Sequence, residues 1–228
     1  TQMGEIPLLT REQEIALARK IEITRLLYRQ KVLESAIAAM AAVKIFEDVD
    51  RGELAFDRTL KVEEVDKQDI SHRLPENVAT IRRIIDRNRD DFNEWVGKRK
   101  KISRRDEMGV ARRVRGRRKK SVVLLEELGL QIKHMKPLME QVKSACDEMS
   151  RLEGEVNALR KARRRKEFLP LQDRLGELMG RASESPERLR RRVEQIDLRF
   201  NAYEEAKRQL SSGNLRLVVS IAKKYRNR

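Results

Sequence analysis

Apolar positions recur every three or four residues along much of the chain, the spacing of one helix face. Ile15, Ala18 and Ile21 open the first such stripe. Thr10 and Gln13 stand at capping-box spacing, and Glu12 and Glu14 suit the positive end of a new helix. Ahead of them Pro7 biases Ile6 away from helix, so Gly4 to Leu9 reads as an extended or turn entry. With no breaker in view, the helix is expected to run to about Phe46. Residues 48–76 lack a stripe, carry Glu63, Glu64, Asp66 and Asp69, and close on Pro75; they predict a loop with one short helix. Val78, Ile81, Ile85, Phe92 and Trp95 mark the next helical face, which Asn88 interrupts. Trp95 could stack on a base, but its place on that face favours a core aromatic.

The second half repeats the theme. Residues 98–120 are too basic to pack and read as a linker, or as an exposed helix that orders on an acidic partner. Leu128 and Ile132 lead into Met135, Leu138, Val142, Ala145, Met149, Leu152, Val156 and Leu159, whose steps of three and four make a coiled-coil-like seam. Pro137 starts or kinks that helix. The seam is expected to close an intramolecular helix hairpin. Ser185-Pro186-Glu187 signals a helix start, with Ser as cap and Pro in the first position. Leu189, Val193, Ile196, Phe200 and Tyr203 form its buried face. Gly213 is expected to stop it, and Asn214 to cap a last helix carrying Leu217, Val218, Ile221, Ala222 and Tyr225. That helix looks cut at Arg228 rather than finished.

Composition agrees with an all-α fold: a bundle of long helices with a basic, partly irregular insert. Only 10 Gly and 5 Pro occur in 228 residues, too few turn formers for a sandwich of short strands. No stretch approaches the ~20 apolar residues of a membrane span. A single cysteine, Cys146, excludes an internal disulfide framework and fits a cytoplasmic protein.

Charge changes the picture more. There are 53 Lys and Arg against 37 Asp and Glu, a net charge of +16. The excess falls in four runs: Lys98 to Arg105, Arg112 to Lys120, Arg160 to Lys166 and Arg188 to Arg192. Such clusters attract polyphosphate by counterion release, and Arg163, Arg164 and Arg165 are the strongest candidates for DNA contact. The competing reading is a set of solvated helix faces. No catalytic constellation is found: His72 and His134 lack metal-ligand partners at helical spacing, no phosphate-binding glycine loop occurs, and Cys146 lies beside the seam. No metal, cofactor or small-molecule substrate is implied.

Both ends carry a resemblance. Residues 1–22, TQMGEIPLLTREQEIALARKIE, resemble conserved region 1.2 of the housekeeping-class bacterial RNA polymerase sigma factors. Residues 214–228, NLRLVVSIAKKYRNR, resemble the start of region 2.1 of the same family. The order of the two is the family's order. The resemblance implies three parts: a region 1.2-like segment at 1–22, a variable helical insert at 23–195 and the opening of region 2.1 at 196–228.

The resemblance also implies a role. Sigma factors bind core RNA polymerase, through its beta-prime subunit, and direct it to promoter DNA. Region 1.2 contacts the non-template strand at the discriminator, and the last base of the −10 element lies between regions 1.2 and 2.1. Carried over by motif position, Thr1, Gln2 and Met3 lie nearest the discriminator, while Leu8, Glu12, Asn214 and Leu217 line the base pocket. Asn offers a donor and an acceptor to a base edge, and leucine an apolar wall. The family's core-binding helix, −10-reading residues and C-terminal helix-turn-helix would lie beyond Arg228, so the chain reads as a fragment, monomeric outside the holoenzyme. The alternative is a helical coiled-coil scaffold whose basic surface only solubilises it.

Overall fold

The computed structural model describes residues 9–61, 67–98 and 104–226. They form an all-α fold of eight helices with no strand among the described residues. In chain order these are α1 (Arg11–Leu33), α2 (Ala36–Asp50), α3 (Phe56–Thr59), α4 (Lys67–Lys98), α5 (Arg104–Glu127), α6 (Met135–Lys161), α7 (Arg165–Ala182) and α8 (Pro186–Arg226). The chain divides into two compact units. One joins residues up to Arg29 with those from Gln195 onward; the other spans Gln30–Glu194.

In the Gln30–Glu194 unit, α2 is central and packs on α4, α5, α6 and α7. Its sequence explains this. Ala36, Ala38, Ala39 and Ala42 let neighbouring backbones approach, while Val43 and Phe46 fill the spaces between them. α4 adds Leu74, Ile81 and Ile85, and α6 adds Met135, Leu138, Val142, Met149 and Leu152. A single antiparallel bridge between Leu60 and Leu130 ties the link after α3 to the link after α5. Gln131 reinforces it, its side-chain amide donating to the Asp57 and Leu60 carbonyls at 2.9 and 3.1 Å.

Several expectations hold. The α6 seam is buried from Met135 to Val156, with Ala145 and Leu159 half-buried, and α6 packs on α7 as an intramolecular hairpin. Pro137 sits in the first turn of α6, where its missing N–H costs little. Pro186 opens α8 behind Ser185, whose hydroxyl accepts from the Arg188 N–H.

Four expectations are corrected. The first helix does not reach Phe46. It ends at Leu33, and Ser35 takes an extended conformation (φ −74°, ψ 130°) to restart the chain as α2. The Ser35 hydroxyl makes no cap bond and is buried without a partner, so the break rests on its extended backbone, which apolar periodicity alone cannot register. Pro75 does not close a loop but lies inside α4, where burial of Leu74 and Val78 beside it outweighs one lost backbone hydrogen bond. In the basic stretch 98–120, the described residues from Arg104 are helical, as one of its two readings allowed, but Arg117 and Arg118 turn to Asp91 and Glu184 instead of staying free; the buried Ser121, Val122 and Leu125 of α5 lie beyond it. Gly213 does not stop a helix, and Asn214 caps none, because α8 runs through both.

Candidate nucleic-acid interface

The unit containing both chain ends is built on local signals that meet in space. Thr10 and Gln13 form a reciprocal capping box: the Thr10 N–H donates to Gln13 Oε1 at 2.9 Å, and the Gln13 N–H to Thr10 Oγ1 at 3.3 Å. Backbone N–H donation at this helix start, helped by the Thr10 hydroxyl, holds the exposed Glu12 carboxyl below its usual range. Glu12 therefore presents a fixed negative charge on the first turn.

Leu9, just ahead of that cap, fits against Gly213. A Cβ at position 213 would lie 2.8 Å from Leu9 Cγ and closer still to its Cδ1. Glycine here provides room within a helix, not an end to one. Further along, Lys20 Nζ donates to Gln209 Oε1 at 3.2 Å. Tyr28, buried to 2%, packs against Phe200 and Tyr203 with ring centroids 5.3 and 6.1 Å away. These contacts run from Leu9 to Tyr28 on one segment and from Gly213 back to Phe200 on the other, so the two pair antiparallel. Large apolar side chains remain open: Ile23 is 60% exposed on α1, and Val218 and Tyr225 are 61% and 68% exposed on α8.

The sequence-predicted residues distribute as follows. Thr1, Gln2, Met3 and Leu8 lie outside the described residues. Glu12 is exposed on the first turn of α1. Asn214 is exposed on α8, directly after the Leu9-bearing contact at Gly213. Leu217 belongs to α8, but its side chain lies outside the described set. Arg163, Arg164 and Arg165 are exposed at the α6–α7 turn in the other unit.

The basic runs prove unequal. Most of the run from Lys98 falls outside the described residues. In the second, Arg117 donates to Asp91 at 2.6 Å, and Arg118 turns inward to Glu184 at 2.7 Å. The fourth is fully engaged: Arg188 lies over Trp95, Arg190 and Arg191 pair with Glu153 and Glu187, and the half-buried Arg192 turns inward. Arg192 grips Glu184 with two parallel bonds (2.8 and 2.7 Å) and reaches Glu34 at 3.1 Å. Burial alone would raise the Glu184 carboxyl; the Arg192 and Arg118 guanidiniums outweigh it and hold its pKa below the usual value. Sequence reasoning missed this centre because its members lie up to 158 positions apart.

Trp95 is a packing residue, tilted against Phe92 at 5.8 Å. Burial raises the Cys146 thiol, so it is a poor nucleophile. Burial, then the Lys133 charge, lowers the His134 pKa, and its Nε2 is enclosed without a partner. Among the described residues, no His, Cys, Asp and Glu grouping could hold a metal ion, and no helix is long and apolar enough to cross a membrane.

Residues 1–26 match the family model for the sigma-70 factor, region 1.2. The match covers the capping box and most of α1 and supports a sigma-70-family member acting in transcription initiation.

Proposed function

We propose that this chain is part of a primary, housekeeping-class sigma factor: region 1.2, a basic helical insert and the opening of region 2.1. The observation that carries the reading is the region 1.2 match over residues 1–26, together with the seating of Leu9 on Gly213 beside the 2.1-like segment. In this reading the factor binds the beta-prime subunit of core RNA polymerase and promoter DNA in the cytoplasm, and is a monomer outside the holoenzyme. Thr1, Gln2 and Met3 meet the discriminator non-template strand. Leu8, Glu12, Asn214 and Leu217 surround the last base of the −10 element. The depressed Glu12 pKa suits this role, since a permanent carboxylate accepts hydrogen bonds from an exocyclic amine.

The scaffold reading loses its motivation, because Met149 and Leu152 of the seam are already enclosed, at 0% and 1% exposure. The test is transcription in vitro by core polymerase from a −10/−35 promoter, using the gene product that carries this chain. Promoter-dependent transcripts are expected from the intact protein. Asn214→Ala should weaken open-complex formation most on promoters where the last −10 base is matched. A folded protein that supports no such transcript would overturn the reading.

A further inference from the structure

We infer that the α6–α7 turn is a second nucleic-acid contact, a clamp for the phosphate backbone of duplex DNA that reads no sequence. Six of the seven residues from Arg160 to Lys166 are cationic. Among the described residues one carboxylate answers them, Glu167, which pairs with Arg164 at 2.8 Å. Arg160 is held by Gln172 and lies over the Phe168 ring, 5.7 Å from its centroid. Lys161, Arg163, Arg165 and Lys166 are exposed at the end of the hairpin. In the other runs Arg117, Arg118 and Arg192 point at Asp91 and Glu184, while Arg112, Arg115, Lys119 and Lys120 of α5 are exposed on a regular helix face.

Two local rules are broken at the turn. Arg163 holds a left-handed φ of 57°, a conformation also taken by Ser183 and by Gly52 and Gly129. The Cβ of an arginine crowds the backbone there in a way that glycine avoids. Arg165 and Lys166 also sit in the first turn of α7, where the helix dipole disfavours positive charge. Arg160 and Lys161 suit the α6 C-terminus, but Arg163, Arg165 and Lys166 gain nothing from the fold at their positions, and an external polyanion would compensate them. Phosphate fits better than an acidic protein surface. Guanidinium forks match phosphate oxygens, and the turn offers only Leu169, 41% exposed, as apolar anchor, whereas a protein interface needs an apolar core. This inference stands apart from the sigma reading, because duplex binding by the turn requires no polymerase.

The experiment measures binding of the full chain to a fluorescein-labelled duplex of arbitrary sequence, by anisotropy across a salt series. Arg163→Glu/Arg165→Glu/Lys166→Glu should weaken binding at least about tenfold and lower the slope of log Kd against log salt by about 3, roughly one per lost phosphate contact. Arg112→Glu/Arg115→Glu/Lys119→Glu carries the same charge change on the exposed face of α5 and should shift Kd less than about threefold. Equal losses in the two variants would mean that net charge alone acts, and would overturn the clamp. Displacement of the duplex by polyglutamate at matched charge would overturn the phosphate assignment in favour of an acidic protein. A readout on the unaltered chain removes any dependence on variant folding: duplex should protect Lys161 and Lys166 from acetylation, seen by mass spectrometry, and leave Lys119 and Lys120 reactive. Loss of that pattern would also sink the proposal.

Discussion

Gly213 shows how one missing side chain can join two ends of a chain. Its place on α8 leaves room for Leu9, and any Cβ there enters the leucine. Gly213→Leu should destabilise the unit holding both termini by about 1–3 kcal/mol, the usual cost of overpacking. Urea denaturation followed through Tyr28, Phe200 and Tyr203 ring signals in an NMR spectrum would measure it. Adding Leu9→Ala to Gly213→Leu should recover part of the loss, since the clash is between those two residues. If the double variant is no more stable than the single one, the glycine serves another purpose. The sequence marked Gly213 but for the wrong reason. Glycine both ends helices and admits close neighbours, and only the partner distinguishes the two uses.

Elements differed in legibility according to how local their causes were. The Thr10–Gln13 box and the Ser185-Pro186 start are fixed within four residues, and both form as read. The α6 seam was legible because its period is long and regular. The restart at Ser35, the proline within α4 and the packing of α5 were not. The packing of α5 depends on contacts remote in sequence: Arg117 finds Asp91 26 positions away, and Arg118 finds Glu184 66 positions away. The α6–α7 hairpin carries its own prediction. Arg163→Gly should raise stability by about 1 kcal/mol by relieving the left-handed arginine. The same change should weaken duplex binding. A thermal melt and the anisotropy assay must therefore move in opposite directions; a variant both less stable and unchanged in binding would contradict the account of this turn.

At the scale of the molecule, the Gln30–Glu194 unit of a chain with net charge +16 encloses a carboxylate among its cations. Glu184 ties Arg118 of α5 to Arg192 of α8, and Arg192 also holds Glu34 between α1 and α2. This centre fastens four places in the chain by charge rather than by apolar contact. Glu184→Gln removes the carboxylate, leaving the half-buried Arg118 without an anionic partner and Arg192 with Glu34 alone, a loss of about 3 kcal/mol at neutral pH. The pH dependence follows from the same geometry. The folded-state pKa of Glu184 lies below its usual value of 4.5, so between the two values the unfolded chain binds the proton and the folded chain does not. Its stabilisation is thus complete above the usual carboxylate pKa and is lost as pH falls through that value toward the depressed one. Thermal midpoints taken from pH 7 to pH 3 should fall for the natural chain. The Glu184→Gln variant should start lower and fall less steeply, so that the two curves converge in acid. Parallel curves over that range would show that other carboxylates govern acid unfolding and that the Glu184 centre does not hold the unit together.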